Sequence, residues 1–143
     1  MADQRETTPD EGLILQAVLR LARGMRQAAQ DGELTGSALI LLGSLHRGGA
    51  MSAVELARRE GLQPQSLSRL LARLDKQQLI MRSVDPEDAR RHVIAITQAG
   101  MEMLAQQIVR RRDWLAKRMG ERLSEAERGT LLDAAALMLR LAA

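Results

Sequence analysis

Residues 52–77 constrain the possible folds of this chain more than any other stretch. Ser52-Ala53-Val54-Glu55 has the form of a capping box, in which the serine hydroxyl and the glutamate carboxylate each satisfy an open backbone N–H at a helix start. The short helix that follows meets Gly61, a residue suited to the left-handed conformation that ends helices. Pro64 then falls where a first helical turn tolerates a missing N–H. Beyond it, Leu67, Leu70, Leu71 and Leu74 make an i, i+3, i+4, i+7 stripe. A short helix, a tight turn and a second helix are the outline of a helix-turn-helix.

The period changes directly afterwards. Ile80, Arg82 and Val84 alternate with Met81 and Ser83, and His92 to Ile96 is rich in β-branched residues. The polar run Asp85-Pro86-Glu87-Asp88-Ala89-Arg90-Arg91 separates them, which predicts a β-hairpin with a charged tip. A helix-turn-helix followed by a hairpin is a winged helix, a combination more specific than either part.

Helices flank this core. Residues 1–10 read as a polar, disordered leader. Ile14, Val18, Leu21, Ala22, Met25 and Ala29 predict an amphipathic helix over about 11–31, stopping near Asp31-Gly32. Thr35 is placed to cap a helix through Ala38, Leu39, Leu42 and Leu45, apolar on most faces and so central, which stops at Gly48-Gly49. Thr97 is placed to cap a long helix reaching about Met119, and Ser124 to Glu127 opens a last one. The expected fold is mainly α with a small β-hairpin wing. Residues 11–143 make one domain, with a winged-helix lobe over about 35–97 between terminal helices at about 11–31 and 98–143.

On the 64–77 helix the leucine stripe sets one side. Gln65, Arg69, Ala72 and Lys76 fall opposite, with Ser66, Ser68 and Arg73 around them. Arg69 and Arg73 are i, i+4 like charges, a pair that destabilises an isolated helix by roughly 0.2–0.5 kcal/mol unless an anion lies across it. Glutamine and serine can read base edges, and arginine can take guanine bidentately. Arg90 and Arg91, on a protruding loop, suit a narrow and electronegative minor groove. A plain solvated face, or a turn with its own Asp–Arg pairs, would carry the same charges.

Composition sharpens the choice. The formal charge is only +3, yet 19 of the 21 cations are arginine, whose planar fork matches phosphates and guanine edges. Trp114 is the single aromatic residue, which argues against the stacking platforms that bind single strands. No cysteine is present, so thiol chemistry and cysteine-ligated metals are excluded. His46 and His92 are isolated, and no phosphate-loop, dinucleotide or serine-hydrolase motif occurs, so neither a metal, a cofactor nor an enzymatic activity is expected. No apolar run is long enough for a membrane span, and the polar N-terminus is unlike a signal peptide, so a cytoplasmic protein is expected.

With these residues in view, the segment Asp85-Pro86-Glu87-Asp88-Ala89-Arg90-Arg91-His92-Val93-Ile94-Ala95-Ile96-Thr97-Gln98-Ala99-Gly100 resembles the wing of the MarR family of transcriptional regulators. Asp88, Arg90, Ile96, Thr97 and Gly100 fill the family's Asp-x-Arg … Leu-Thr-x-x-Gly pattern, with isoleucine in place of leucine. The order of helices matches along nearly the whole chain. Gln78 departs from the pattern, because the family usually has glycine before the Leu-Ile-x-Arg strand. The resemblance implies a homodimer, held by dimerisation helices at about 11–31 and 98–143, that binds a pseudo-palindromic duplex operator as a ligand-responsive repressor. The 64–77 helix would lie in the major groove and the wing in the minor groove. It carries the wing arginine to Arg90 and its paired, wing-ordering aspartate to Asp88. It also implies a small anionic or phenolic effector, for which Arg111 and Trp114 are the candidates. The wide apolar faces of the last helix, including Leu131, Leu132, Met138 and Leu139, independently favour a dimer. The competing reading is a winged helix used as a protein–protein adaptor, which the scarcity of aromatic anchors disfavours.

Overall fold

The computed structural model describes residues 9–29 and 34–143. Six helices and one hairpin follow in the order α1 (Pro9–Ala28), α2 (Gly36–Gly48), α3 (Ala53–Glu60), α4 (Pro64–Lys76), β1 (Ile80–Val84), β2 (His92–Ile96), α5 (Gln98–Arg122) and α6 (Glu125–Leu141). This is the expected winged helix-turn-helix arrangement. Pro9 and Asp10, read as leader, already belong to α1; residues 1–8 of that leader lie outside the described residues. The stop expected at Asp31-Gly32 also falls outside them, and α1 ends at Ala28.

The helix ends follow local chemistry. Thr35 Oγ1 accepts from the Ala38 N–H at 3.2 Å to cap α2, and Gly49 (φ 75°) follows its end. Ser52 Oγ accepts from the Glu55 N–H at 3.2 Å, the serine half of the expected capping box, while the Glu55 carboxylate accepts from Arg91. Gly61 (φ 61°) ends α3 in the left-handed conformation, and Pro64 opens α4. A full capping box forms at α6, between Ser124 and Glu127. Thr97 Oγ1 accepts from the Gly100 N–H at 3.0 Å at the head of α5, which runs on to Arg122, past the expected Met119.

The chain divides into two compact units, one of Ala29–Val109 and one of α1 with Arg110–Ala143. The first takes in the first half of α5. Its core gathers Leu41, Leu42 and Leu45 of α2, Leu56 of α3, Leu67, Leu71 and Leu74 of α4, Ile80, Ile94 and Leu104. Each buried leucine contributes roughly 1.5–3 kcal/mol, so the α4 stripe fixes the rotation of that helix and turns its polar side outward. Buried Ser44 donates to Glu60, tying α2 to the end of α3.

The hairpin is antiparallel, with Ile80 opposite Ile96 and Val84 opposite His92. A further rung, not expected from the sequence, joins it: Met51 N–H donates to Ile94 O at 3.0 Å, and Ile94 N–H to Met51 O at 2.8 Å. The wing is thus bonded to the segment just ahead of α3.

In the other unit α1 and α6 bury no residue at all. Many of their apolar side chains stand open, among them Ile14 at 52% exposure and Leu139 at 74%. Trp114 of α5 packs over Gly24 of α1, where a Cβ would come within 2.5 Å of the indole ring. No described helix is long and apolar enough to cross a membrane.

Candidate nucleic-acid interface

On α4 the buried leucines leave Gln65, Ser66, Ser68, Arg69, Arg73 and Lys76 all exposed. Asp75 is the only acid in the helix. Among the described residues neither Arg69 nor Arg73 has an ion-pair partner, so two like charges one turn apart remain uncompensated. Ser66, Arg69 and Arg73 share a cleft with Ser37 of α2, whereas Gln65, Ser68 and Lys76 lie on the adjoining strip of the helix surface.

The wing tip is ordered by its own aspartates. Asp88 Oδ1 accepts from the Arg90 N–H at 3.0 Å, and Asp85 Oδ1 from the Glu87 N–H at 2.9 Å. Both are side-chain mimics of a backbone turn. The Asp85 N–H donates to Arg91 O at 2.7 Å, and the Arg91 N–H to Asp88 O at 3.0 Å, closing the loop. The two wing arginines then part company. Arg91 Nη2 donates to Glu55 Oε2 at 2.9 Å, with Arg91 Nε 3.8 Å from Asp85 Oδ2. Arg90 is exposed, and its guanidinium has no protein partner among the described residues.

Arg111 and Trp114 belong to the other unit. Both are half-buried. Burial, helped by the neighbouring Arg26, lowers Arg111 from the ordinary arginine value. Arg118 stands 5.6 Å from the centre of the Trp114 ring. Among the described residues no group of acids and histidines could hold a metal ion.

Sequence reasoning missed three participants: Glu55 as the anchor of Arg91, Met51 as a rung of the wing, and Ser37 in the α4 cleft. Each depends on a contact between segments far apart in the chain.

The helix-turn-helix, its uncompensated basic face and the tethered hairpin define a winged-helix DNA-binding protein. The profile of the MarR family matches residues 34–92. An HTH-type transcriptional regulator of Mycobacterium tuberculosis is 34% identical over 125 residues, 87% of either chain. The chain belongs to the MarR family of HTH-type transcriptional regulators. A crystal structure of a transcriptional regulator from Pseudomonas aeruginosa superposes with a TM-score of 0.78 at 32% identity, covering 95% of this chain and 97% of that one. A MarR variant of Escherichia coli complexed with operator DNA shares the fold at a TM-score of 0.75 and 21% identity, covering 97% and 99%.

Proposed function

We propose that this regulator is a homodimeric repressor that binds a pseudo-palindromic duplex operator. The observation that carries the reading is the α4 surface, where a buried leucine stripe turns out a polar face bearing two uncompensated arginines. On this reading α4 enters the major groove, where Gln65 and Ser68 meet base edges and Ser66, Arg69, Arg73 and Lys76 supply further contacts. Asp88 orders the wing so that Arg90 reaches the minor groove, with Arg91 bracing it from behind. The operator complex of the Escherichia coli relative supports the same use of the same fold.

The division of labour follows the two units, with the winged-helix lobe binding DNA and the terminal helices pairing with a second copy. The unburied apolar sides of α1 and α6 favour that pairing. A small anionic or phenolic effector is proposed at Arg111 and Trp114, which lie about one turn apart on α5 and are both half-buried.

Selection of bound fragments from a genomic duplex pool, followed by titration of the winning sequence across salt concentrations, tests the reading. The expected result is one preferred operator. Its log affinity should fall linearly with log salt, by about 0.9 per phosphate neutralised. Retention that is weak, unselective and indifferent to salt would overturn the proposal.

A further inference from the structure

The exposed side of α4 is two surfaces rather than one. Residues 66, 69, 70 and 73 recur at i, i+3, i+4 and i+7, the spacing of a single helix face. With Ser37 and Leu62 they line a cleft of about 270 Å³ between α4 and the first turn of α2. Its lining combines two leucines, Leu62 and Leu70, with two serines and two arginines. No carboxylate lines it. Gln65, Ser68 and Lys76 lie on the adjoining face, outside the cleft.

We infer that Ser37, Ser66, Arg69 and Arg73 clamp one backbone phosphate of the operator, and that base reading on α4 falls to Gln65 and Ser68. This inference rests on the duplex-binding reading above. Four donor-bearing side chains lining one concave space suit a tetrahedral anion, whose oxygens accept from several directions at once. A base edge is flat and offers its acceptors in one plane, which matches a single projecting side chain better than a rimmed pocket. With a water claiming about 30 Å³ in the liquid, the volume suits a phosphate group and its hydration. The phosphate also supplies the counter-charge that the Arg69–Arg73 pair lacks.

The experiment measures binding of Arg69→Ala, Arg73→Ala, Ser37→Ala and Gln65→Ala to the selected operator and to single-base variants of it, at several salt concentrations. Circular dichroism confirms that each variant is folded. Arg69→Ala and Arg73→Ala should each lose affinity on the order of tenfold. The loss should be the same on every duplex, and the salt slope shallower by about one. Ser37→Ala should lose affinity uniformly with an unchanged slope, because a hydroxyl displaces no counterion. Gln65→Ala should relax preference at one base pair. Methylphosphonate placed singly along the operator should reveal one position at which Arg69→Ala costs nothing more. Inorganic phosphate, compared with chloride at equal ionic strength, separates the sources. Competition by phosphate against the wild type but not against Arg73→Ala would make the cleft a general phosphate seat, upholding the chemistry. An Arg69→Ala or Arg73→Ala variant that relaxes one base position and keeps its salt slope would overturn the assignment while leaving the proposed function intact. A wild type that retains no duplex would bring down both.

Discussion

Arg91 and Glu55 lie 36 positions apart in the chain, and Arg91 Nη2 donates to Glu55 Oε2 at 2.9 Å. The bond runs from the end of the wing loop to the first turn of α3. The carboxylate that could close a capping box at Ser52 thus serves the wing. Both side chains are about half exposed, at 46% and 50%, so water and salt screen the pair. A double-mutant cycle of Glu55→Gln and Arg91→Gln, read by urea unfolding, should give a coupling of about 0.2–1 kcal/mol that fades at high salt. On operator DNA, Arg90→Ala should cost more affinity than Arg91→Ala. The reverse order would return Arg91 to the groove and demote the tether.

Gln78 occupies a position built for glycine. Its φ is 59°, the single positive value at a non-glycine among the described residues. The helix end around it is a Schellman motif, with Gln78 N–H donating to Asp75 O at 2.9 Å and Leu79 N–H to Leu74 O at 3.0 Å. Leu74 and Leu79 are both buried, which supplies the apolar contact such motifs favour. Left-handed backbone costs a side-chain-bearing residue roughly 1–2 kcal/mol, and glycine gives back part of that in unfolded-state entropy. Gln78→Gly should therefore stabilise the fold by up to about 1 kcal/mol, seen as a higher urea midpoint at constant m. An unchanged or lower midpoint would show that the glutamine side chain repays its own strain.

How far the sequence could be read depended on the range of each interaction. Thr35, Ser52, Gly61, Pro64, Thr97 and Ser124 act on backbone within a few residues, and each marks a helix end where the spacing placed it. The leucine stripe of α4 was legible for the same reason. Met51 gave no signal, because one residue pairing with Ile94 has no period. The Arg91–Glu55 bond was hidden too, since a charge run at Asp85 to Asp88 offered nearer carboxylates. In α1 the apolar period was plain, but its meaning was not: Ile14 and Val18 look like core residues in sequence and stand exposed in the single chain. Periodicity says that a face will be covered and is silent on which chain covers it.

Gly100 is demanded by a backbone approach. A Cβ there would collide with the carbonyl oxygen of Leu79 and come within 2.7 Å of Ile96 Cγ1. That carbonyl already accepts from the Thr97 N–H at 3.1 Å, so it cannot swing away without opening the start of α5. Gly100→Ala should destabilise by about 1–3 kcal/mol, as overpacking does elsewhere. Gly129 is the control, because it lies within α6 and a Cβ added to it would meet nothing within 4 Å. Gly129→Ala should stabilise by up to about 1 kcal/mol through helix propensity alone. Thermal unfolding of the two variants under one buffer decides between a steric and a propensity account.

The open apolar side of α6 sets the last expectation. Leu132, Leu137, Leu139 and Leu141 are between 56% and 81% exposed, and Leu13, Leu15 and Leu19 of α1 between 58% and 66%. Covering a leucine is worth roughly 1.5–3 kcal/mol, so leaving this many in water costs more than most interfaces need to form. If a second copy covers them, the wild type should sediment at twice the chain mass, and Leu132→Arg with Leu139→Arg should shift it to one. The double variant should keep its helicity, because neither residue is buried within the chain. Its affinity for a full operator should then collapse, since two half-sites are no longer bound as one event. Affinity for an isolated half-site should stay near the wild-type value. A double variant that remains dimeric would place the interface elsewhere, and one that loses half-site binding as well would make the terminal helices part of the DNA-binding unit's own stability.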